Sequence, residues 1–549
     1  MPHAITRRSF VRGAGALGAG LVLSGLTGCG KRRARSDMSP TTLRKILRFG
    51  QGNAHEVLDM QTAANTLTAT ISDCVCEPLL KWDQDNQLEP CLLTSVPRFE
   101  HDGVTLHCNL KEGVQFQDGT ELTAEDVKYT FERMFRPDTQ ARRAYLYTHI
   151  AGANEMLSER GDSLDEGITI EDDTHFTFHL TSPFAPFIPR LGLPCAQIFP
   201  EDVCEQAGDD WGDGTNFLGT GKYYLVSNDE DEVVLEPNGY YHEGEPLLDE
   251  IHIVFFEDSS DKLKAFQYGQ IDYCDLPTEL LTQYQDDKDV GPLITPYDTL
   301  GVQLVNLNLS DTMGLTNSRI RQALSLAIDR QTIVDTVAAG SGTVCSGWLP
   351  PSIPGYDSSA PAFAYDPDRA RQLLEQEGAT SLHLTSQVRK GINQQQLSQI
   401  QPMWRDVGVD LDMRVVDNGA WASDVADGTL QVTTLGWYAS YPSADDLMYS
   451  YFYANNAAKR SSFYNNPQFD ALVTQARKTM NPAEQARLYQ KADNILTRQD
   501  YATLPLYWPQ NQFVAHDYVL NAKVANLTYH LEDLDIDTTK ADYSDGVSE

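Results

Sequence analysis

The sequence is short of positive charge and of long apolar runs. It holds 42 Lys and Arg against 78 Asp and Glu, a formal net charge of −36. An acidic surface repels nucleic acid, which excludes DNA and RNA as partners. After residue 30, no apolar run approaches the roughly 20 residues that a membrane-spanning helix needs. The hydrophobic content of 41% predicts a well-packed soluble body. A chain of 549 residues is too long for a single hydrophobic core, so we expect two or more domains.

Motifs of catalysis and of cofactor binding are also missing. The chain has no GxSxG, no HExxH and no convincing Ser/His/Asp order, which argues against an exported hydrolase. A GxGxxG pattern at Gly13–Gly18 follows no strand, so we discard it as a dinucleotide site. His175 and His179 could share a strand face, but no His pair has the helical spacing of a metal site. We therefore expect no enzyme activity, no cofactor and no metal.

The N-terminus has the pattern of an export signal. Twin arginines in Thr6–Arg12 precede an apolar, glycine-rich stretch, and Leu26-Thr27-Gly28-Cys29 resembles a lipobox. Residues 1–29 therefore predict a lipoprotein signal of the twin-arginine type that ends at a lipidated Cys29. Residues 30–40 are basic and predict a tether beside anionic headgroups. The body would then be exported and held by lipid at the outer face of the cell membrane.

Eight cysteines follow Cys29, and an even number in an exported protein permits disulfides. The sequence does not fix their pairing. Cys195 with Cys204 is the preferred local pair, and Cys91 with Cys108 could bridge neighbouring strands. The other four are Cys74, Cys76, Cys274 and Cys345.

The order of elements predicts an α/β protein. The first half alternates short strand patterns and turns, with one helix that starts after Thr123 and carries Asp126 at the capping-box position. The second half alternates helices and strands, which suggests βαβ units. One of these helices starts at Asn317 or Ser318 and ends before Gly340. A boundary between halves falls near 295–305, and we expect the acidic tail 541–549 to be disordered.

Several segments resemble, in the same order, those of the family 5 extracellular solute-binding proteins of ABC importers, the oligopeptide, dipeptide and nickel-binding group. The resemblance covers roughly residues 45–525. The matching segments are VQFQDGTELTAEDVKYTFERM (114–134), GTGKYYL (219–225), NSRIRQALSLAIDRQTIV (317–334), WLPPSIPGY (348–356) and GWYASYPSADD (436–446).

The resemblance implies a two-lobed periplasmic-binding-protein-like fold with a hinge between the lobes. Lobe I would be discontinuous, 41–300 and 510–540, with an inserted subdomain at about 81–204, and lobe II would be 301–509. It also implies a monomer that captures a short peptide in the cleft and delivers it to an ABC permease and its ATPase. Two alternatives stay open: a surface peptide receptor without a dedicated permease, or a binding protein for a non-peptide solute such as a metal chelate or haem.

The segment GWYASYPSADD is the first candidate for the pocket. In peptide-binding relatives an Asp that pairs with the ligand's α-ammonium follows the Gly-Trp pair, and here that position is Ser440. A hydroxyl cannot neutralise a buried ammonium. We therefore take Trp437, Tyr438, Ser440 and Tyr441 as candidate ligand contacts. Buried packing remains the alternative for Trp437.

Asp445 could be the substitute anion, or it could cap the helix that follows. Further candidates come from the region after the first strand, where Asn53, His55 and Glu56 are polar enough to face a ligand. Arg389 could meet a ligand carboxylate from lobe II.

Overall fold

The computed structural model describes residues 43–52, 57–63, 67–525 and 528–546. The helices in this part of the chain are α1 Leu67–Val75, α2 Ala124–Phe135, α3 Ala153–Leu157, α4 Phe187–Arg190, α5 Glu201–Ala207, α6 Ser259–Gln267, α7 Thr278–Tyr284, α8 Ser318–Leu326, α9 Arg330–Val337, α10 Pro367–Gln376, α11 Ile392–Asp406, α12 Asn418–Ala426, α13 Ala444–Phe452, α14 Ala454–Ala457, α15 Pro467–Lys478 and α16 Pro482–Asn494.

The same part of the chain contains the following strands. They are β1 Ile46–Gly52, β2 Glu77–Pro78, β3 Leu80–Trp82, β4 Leu88–Pro90, β5 Thr105–Asn109, β6 Ile168–Ile170, β7 His175–His179, β8 Gln197–Ile198, β9 Tyr223–Asn228, β10 Glu232–Pro237, β11 Glu250–Phe256, β12 Tyr273–Leu276, β13 Ile294–Asp298, β14 Gly301–Leu307, β15 Gly342–Val344, β16 Leu382–Arg389, β17 Val409–Val416, β18 Val432–Tyr438, β19 Thr503–Ala515, β20 Val519–Leu520 and β21 Asp535–Ile536.

One large mixed sheet runs through the molecule in the order β17-β16-β18-β14-β19-β12-β1-β11-β10-β9, with β13 and β15 also paired to β19. Strands β16 and β17 are parallel and joined by α11, which is the βαβ unit that the alternating pattern predicts. The fold is therefore mixed α/β.

Strand β19 joins the two parts of this sheet. Its residues up to Pro509 pair with β14 and β15, and the last of these pairs is Pro509 with Gly342 of β15. From Gln510 onward it pairs with β12 and β13 instead. The change of partners falls at the same place as the predicted boundary between residues 509 and 510, and the chain also passes from β13 to β14 around residue 300.

Separate hydrophobic clusters form from different parts of the chain. One is built from residues between Leu79 and Ile198, joined by Tyr441 from outside that range. It overlaps the segment 81–204 that the family resemblance assigns to an inserted subdomain. Two further clusters consist of residues between Leu300 and Trp508.

Local capping explains where several helices begin. Asp126 accepts a hydrogen bond from the Thr123 backbone N–H at 2.9 Å, which completes the predicted capping box of α2. The single helix that we predicted between residues 317 and 340 is wrong, because it is two helices, α8 and α9. The Asp329 side chain accepts a hydrogen bond from the Thr332 backbone N–H and starts a new helix after the break at Ala327–Ile328.

The prediction that residues 541–549 are disordered is wrong for the part that the structure describes, which ends at 546. Tyr543 is buried, its hydroxyl donates to the Arg44 carbonyl oxygen, and it accepts from the Ile46 backbone N–H at 2.8 Å. Asp545 accepts from the Arg44 backbone N–H at 3.2 Å. These contacts hold the tail against the start of β1, an ordering that its acidic composition conceals.

Both predicted disulfides are wrong in this structure, where all eight cysteines of the described chain are free and buried. The Cys195 thiol lies 3.7 Å from the Tyr147 hydroxyl, inside the cluster of residues 79–198. Leu93 and Leu110 form an isolated antiparallel β-bridge. Cys91 and Cys108 lie on opposite sides of this bridge, so they do not face each other. Burial raises the pKa of these thiols, which disfavours the reactive thiolate.

Candidate functional site

A cavity of about 740 Å³ lies where the two parts of the large sheet meet the segment around residue 194. Its volume is within the range of small-molecule sites in proteins. The walls come from distant parts of the chain, including Met60, Arg143, Pro194, Cys195, Lys262, Asp275, Glu279, Tyr297, Asp298, Tyr438, Ser440, Gln512 and Tyr529.

Tyr438 and Ser440, two of the predicted contacts, line this cavity. Tyr438 ends β18 and is 41% exposed, and its hydroxyl accepts a hydrogen bond from Gln303 Nε2 at 3.0 Å. Its ring lies over Gly301 on the neighbouring strand, where a Cβ atom would come within 2.2 Å of the ring. Glycine at 301 therefore makes room for this aromatic wall.

Ser440 lines the cavity, and its backbone lies beside the carboxylate of Asp446. The Ser440 backbone N–H donates to Asp446 Oδ2 at 2.6 Å. Burial raises the pKa of Asp446, while the bond from Ser440 lowers it. The carboxylate held at this corner is therefore Asp446, not Asp445.

Trp437 points away from the cavity, because successive side chains of a strand face opposite sides. Its ring packs edge-on against Tyr451, with centroids 4.9 Å apart, and the Arg460 guanidinium lies 4.5 Å above it. This is the packing alternative stated for Trp437.

Tyr441 and Asp445 belong to a buried network next to the cavity. Arg190 Nε donates to the Tyr441 hydroxyl at 3.0 Å, and Arg190 Nη2 lies 3.3 Å from Asp445 Oδ2. The Arg477 guanidinium is 3.1 Å from Asp445 Oδ1, and the Tyr489 hydroxyl donates to the same oxygen at 3.1 Å. Asp445 is 1% exposed and is already neutralised by these partners.

Asp445 is also not the helix cap, because Ser443 accepts the capping hydrogen bond of α13 from the Asp445 backbone N–H. Arg389 stacks on Trp421, with its guanidinium 4.4 Å from the ring centre, and does not line the cavity. Asn53, His55 and Glu56 lie outside the described residues, as does Cys29.

Sequence reasoning missed several polar and aromatic side chains that line the cavity near β12, β13 and β19. Tyr297 on β13 and Tyr529 form an aromatic wall, and Tyr529 packs against Phe49 with centroids 4.8 Å apart. Lys262 and Asp275 form an ion pair in the same wall. The sequence offers little sign of these residues, because they meet only through the long-range pairing of β12, β13 and β19.

A second cavity, of about 280 Å³, shares Pro194 and Thr528 with the first and is mainly charged. Among the described residues, His530, Glu532 and Asp533 bring ligand-type atoms within 4.8 Å of one another. Lys222 already pairs with Asp533. Burial lowers the pKa of His530, but the hydrogen bond to Glu532 and the negative charges of Glu532, Asp73 and Asp533 together raise it to about 9. These charges therefore balance one another without an ion.

Burial, followed by the nearby charge of Glu532, raises the pKa of Asp73 in this second cavity to about 8.

Among the helices of the described residues, none combines the length and the apolar composition that a membrane span requires.

A mixed α/β chain with a central polar and aromatic cavity has the architecture of a ligand-binding protein. The family model "Bacterial extracellular solute-binding proteins, family 5 Middle" matches residues 87–459, more than half of the chain. The chain belongs to this family of solute-binding proteins of ABC importers. It is therefore a binding protein and not an enzyme.

Individual members of the family are similar over most of their length. The glutathione-binding protein GsiB of Escherichia coli K12 is 28% identical over 469 residues, which cover 82% of this chain and 86% of GsiB. The solved structure of DppA from Helicobacter pylori in complex with the peptide STSA has a TM-score of 0.70 at 22% identity, over 90% of this chain and 98% of that one.

OppA of Haemophilus influenzae in complex with RPPGFSPFR has a TM-score of 0.69 at 21% identity, over 90% of this chain and all of that one. At these identities the two structures establish the fold alone.

Proposed function

We propose that this protein captures a short peptide, with glutathione as the first candidate, in the 740 Å³ cavity and delivers it to the permease of an ABC importer. The observation that carries the proposal is the position of Tyr438 and Ser440, from the family's Gly-Trp segment, in the wall of that cavity. The volume suits a few residues of peptide, and the tyrosines supply apolar area. The similarity to GsiB makes glutathione the first ligand to try.

The cavity would open and close between two lobes. Lobe I would be residues 41–300 and 510–540, and lobe II residues 301–509. In support, the partners of β19 change between Pro509 and Gln510, and Tyr438 and Ser440 of the proposed lobe II line the cavity together with residues of the proposed lobe I such as Asp275 and Asp298. Closure would exclude water and strengthen each polar contact with the ligand.

The remaining parts of the proposal rest on the N-terminal sequence and on the family resemblance. The Leu26–Cys29 motif and the twin arginines support export and a lipid anchor at Cys29 on the outer face of the cell membrane. The protein would act as a monomer beside its permease and ATPase. A receptor without a permease would bind the same ligand, so uptake of labelled peptide by cells with and without the gene separates the two functions.

A thermal-shift screen of the purified protein tests the binding function. The panel holds glutathione, di- to nonapeptides, amino acids, sugars, nickel chelates and haem. A ligand that binds only the folded state at a hundred times its Kd adds about 2.7 kcal/mol of stability and raises the midpoint. We expect glutathione or short peptides to raise it. A shift with only a sugar, a chelate or haem would replace the peptide assignment, and no shift with any compound would contradict the proposal.

A further inference from the structure

The Tyr438 ring lies across two glycines of neighbouring strands. Gly301 of β14 is paired with Tyr438 itself, and Gly436 precedes Tyr438 by two residues on β18. Residues that are paired across strands, or two apart on one strand, share a face of the sheet. A Cβ atom at Gly301 would come within 2.2 Å of the ring, and one at Gly436 within 2.9 Å. The two glycines therefore leave a slot that the ring fills, while 41% of Tyr438 stays exposed at the cavity.

A chain of buried amides ends on the Tyr438 hydroxyl. Gln396 Nε2 donates to Gln303 Oε1 at 3.0 Å, and Gln303 Nε2 donates to the Tyr438 hydroxyl at 3.0 Å. Gln396 Nε2 also donates to the Tyr507 hydroxyl at 3.1 Å. Because Gln396 donates to the amide oxygen of Gln303, the N–H end of that amide faces Tyr438. The chain thus connects α11 and β19 to the ring in the cavity wall.

These amides lie in surroundings that do not favour them. Gln303 and Gln396 are 4% and 0% exposed, and Leu397 and Ile400, which share α11 with Gln396, belong to a hydrophobic cluster. Within the part of the chain that the structure describes, Gln396 Oε1 is buried without a hydrogen-bond partner. A buried amide with an unpaired oxygen destabilises a fold. Stability alone would therefore favour an apolar side chain at position 396, and what the amides supply instead is a fixed Tyr438.

Holding a binding side chain in place before the ligand arrives raises affinity. A side chain that is ordered only on binding loses rotamer freedom at that moment, which weakens affinity by about two- to ten-fold. Tyrosine offers a large, rigid contact area once its orientation is fixed. Neither glutamine is among the described residues that line the cavity, so both act on the ligand only through Tyr438.

We propose that Gln303 and Gln396 are positioning residues for ligand binding, which keep the Tyr438 ring in its slot as a preformed platform for a planar peptide group of the ligand. This inference rests on the proposed function and adds two residues that set the affinity without touching the ligand. Gly301 and Gly436 belong to the same device, because a side chain at either position would push the ring out of the slot.

A double-mutant cycle on Gln303 and Tyr438, read by calorimetric titration of glutathione, tests this inference. Gln303→Met keeps the length of the side chain and removes the bond to the hydroxyl, whereas Tyr438→Phe keeps the ring and removes the hydroxyl. We expect each change to weaken binding by about two- to ten-fold. The double variant should bind no more weakly than the weaker single variant, because both changes release the same ring.

Gln401→Met is the matched control for Gln303→Met. Gln401 also lies on α11, and its Nε2 donates to the Leu411 carbonyl oxygen at 2.7 Å, away from Tyr438. The control removes one amide hydrogen bond of the same lobe and should leave the affinity for glutathione unchanged.

A clash at Gly301 provides a second cycle that does not depend on the folding of Gln303→Met. The three atoms nearest to a Cβ atom at this position all belong to the Tyr438 ring. Gly301→Ala should therefore weaken glutathione binding in the wild-type background and have no effect in a Tyr438→Ala background, where the ring is gone.

The outcomes separate this inference from the proposed function. The inference is overturned, while the binding function stands, if Gln303→Met binds as tightly as the wild-type protein or if its effect simply adds to that of Tyr438→Phe. Equal weakening by Gly301→Ala in both backgrounds overturns it as well. A wild-type protein that does not bind glutathione overturns the proposed ligand, and the platform for that ligand falls with it.

Discussion

Replacing Asp445 by Ala separates the two roles considered for that residue, a ligand contact and a structural ion pair. The structure predicts a structural role, because Asp445 is 1% exposed, forms ion pairs with Arg190 and Arg477, and accepts a hydrogen bond from the Tyr489 hydroxyl. Removing one partner of a buried pair leaves uncompensated charge and costs about 3–5 kcal/mol. Here two guanidinium groups would lose their shared anion.

Urea unfolding followed by tryptophan fluorescence measures this loss, with Asp368→Ala as the matched control. Asp368 pairs with Arg371 on the surface of α10, and its side chain is 86% exposed. Such a pair contributes at most about 1 kcal/mol. We expect Asp445→Ala to lower the free energy of unfolding several-fold more than the control. Equal effects would refute the reasoning, and a normally stable Asp445→Ala protein that no longer distinguishes free from acetylated peptide would restore the ligand role.

Three further outcomes are expected. Burial, followed by the charges of Arg477 and Arg190, lowers the pKa of His149 to about 4. The unfolded state takes up this proton near pH 6.5, so the free energy of unfolding falls as pH drops from 6.5 towards 4. His149→Phe should reduce this loss of stability, measured by urea unfolding at about pH 5 compared with about pH 8. A thiol-reactive dye should label none of the eight buried cysteines of the folded protein and all eight after denaturation without reductant, whereas fewer than eight would indicate disulfides. Dyes on cysteines introduced at exposed Glu245 and Gln372 should change their energy transfer when ligand is added, and unchanged transfer with bound ligand would contradict lobe closure.

The sequence predicted the local elements well, because their determinants are local. The capping box at Thr123 and Asp126 marks a helix start that the structure contains. The break between α8 and α9 was missed because the apolar stripe of the first helix continues through Ala327 and Ile328 into the turn. Only the cap formed by Asp329 separates the two helices.

The cavity could be predicted only in part. Tyr438 and Ser440 were found because they lie in a segment that the family resemblance singles out. Their neighbours in the segment have packing roles, since Trp437 faces the opposite side of β18 and Tyr441 meets Arg190, 251 residues away in the chain. Gln512 and Asp298 were missed for the same reason: the pairing of β13 with β19 brings together residues more than 200 positions apart.

Calorimetric titration of glutathione into the wild-type protein and a cavity-filling variant, Ser440→Trp, tests the central claim most directly. Ser440 is exposed in the cavity wall, so an indole there would occupy the ligand's space without disturbing the core. Ser398→Trp on the exposed face of α11 serves as the control. The account predicts saturable one-to-one binding by the wild-type and control proteins and a loss of at least about a hundred-fold in Ser440→Trp. Equal binding by all three proteins would place the ligand elsewhere and contradict the account.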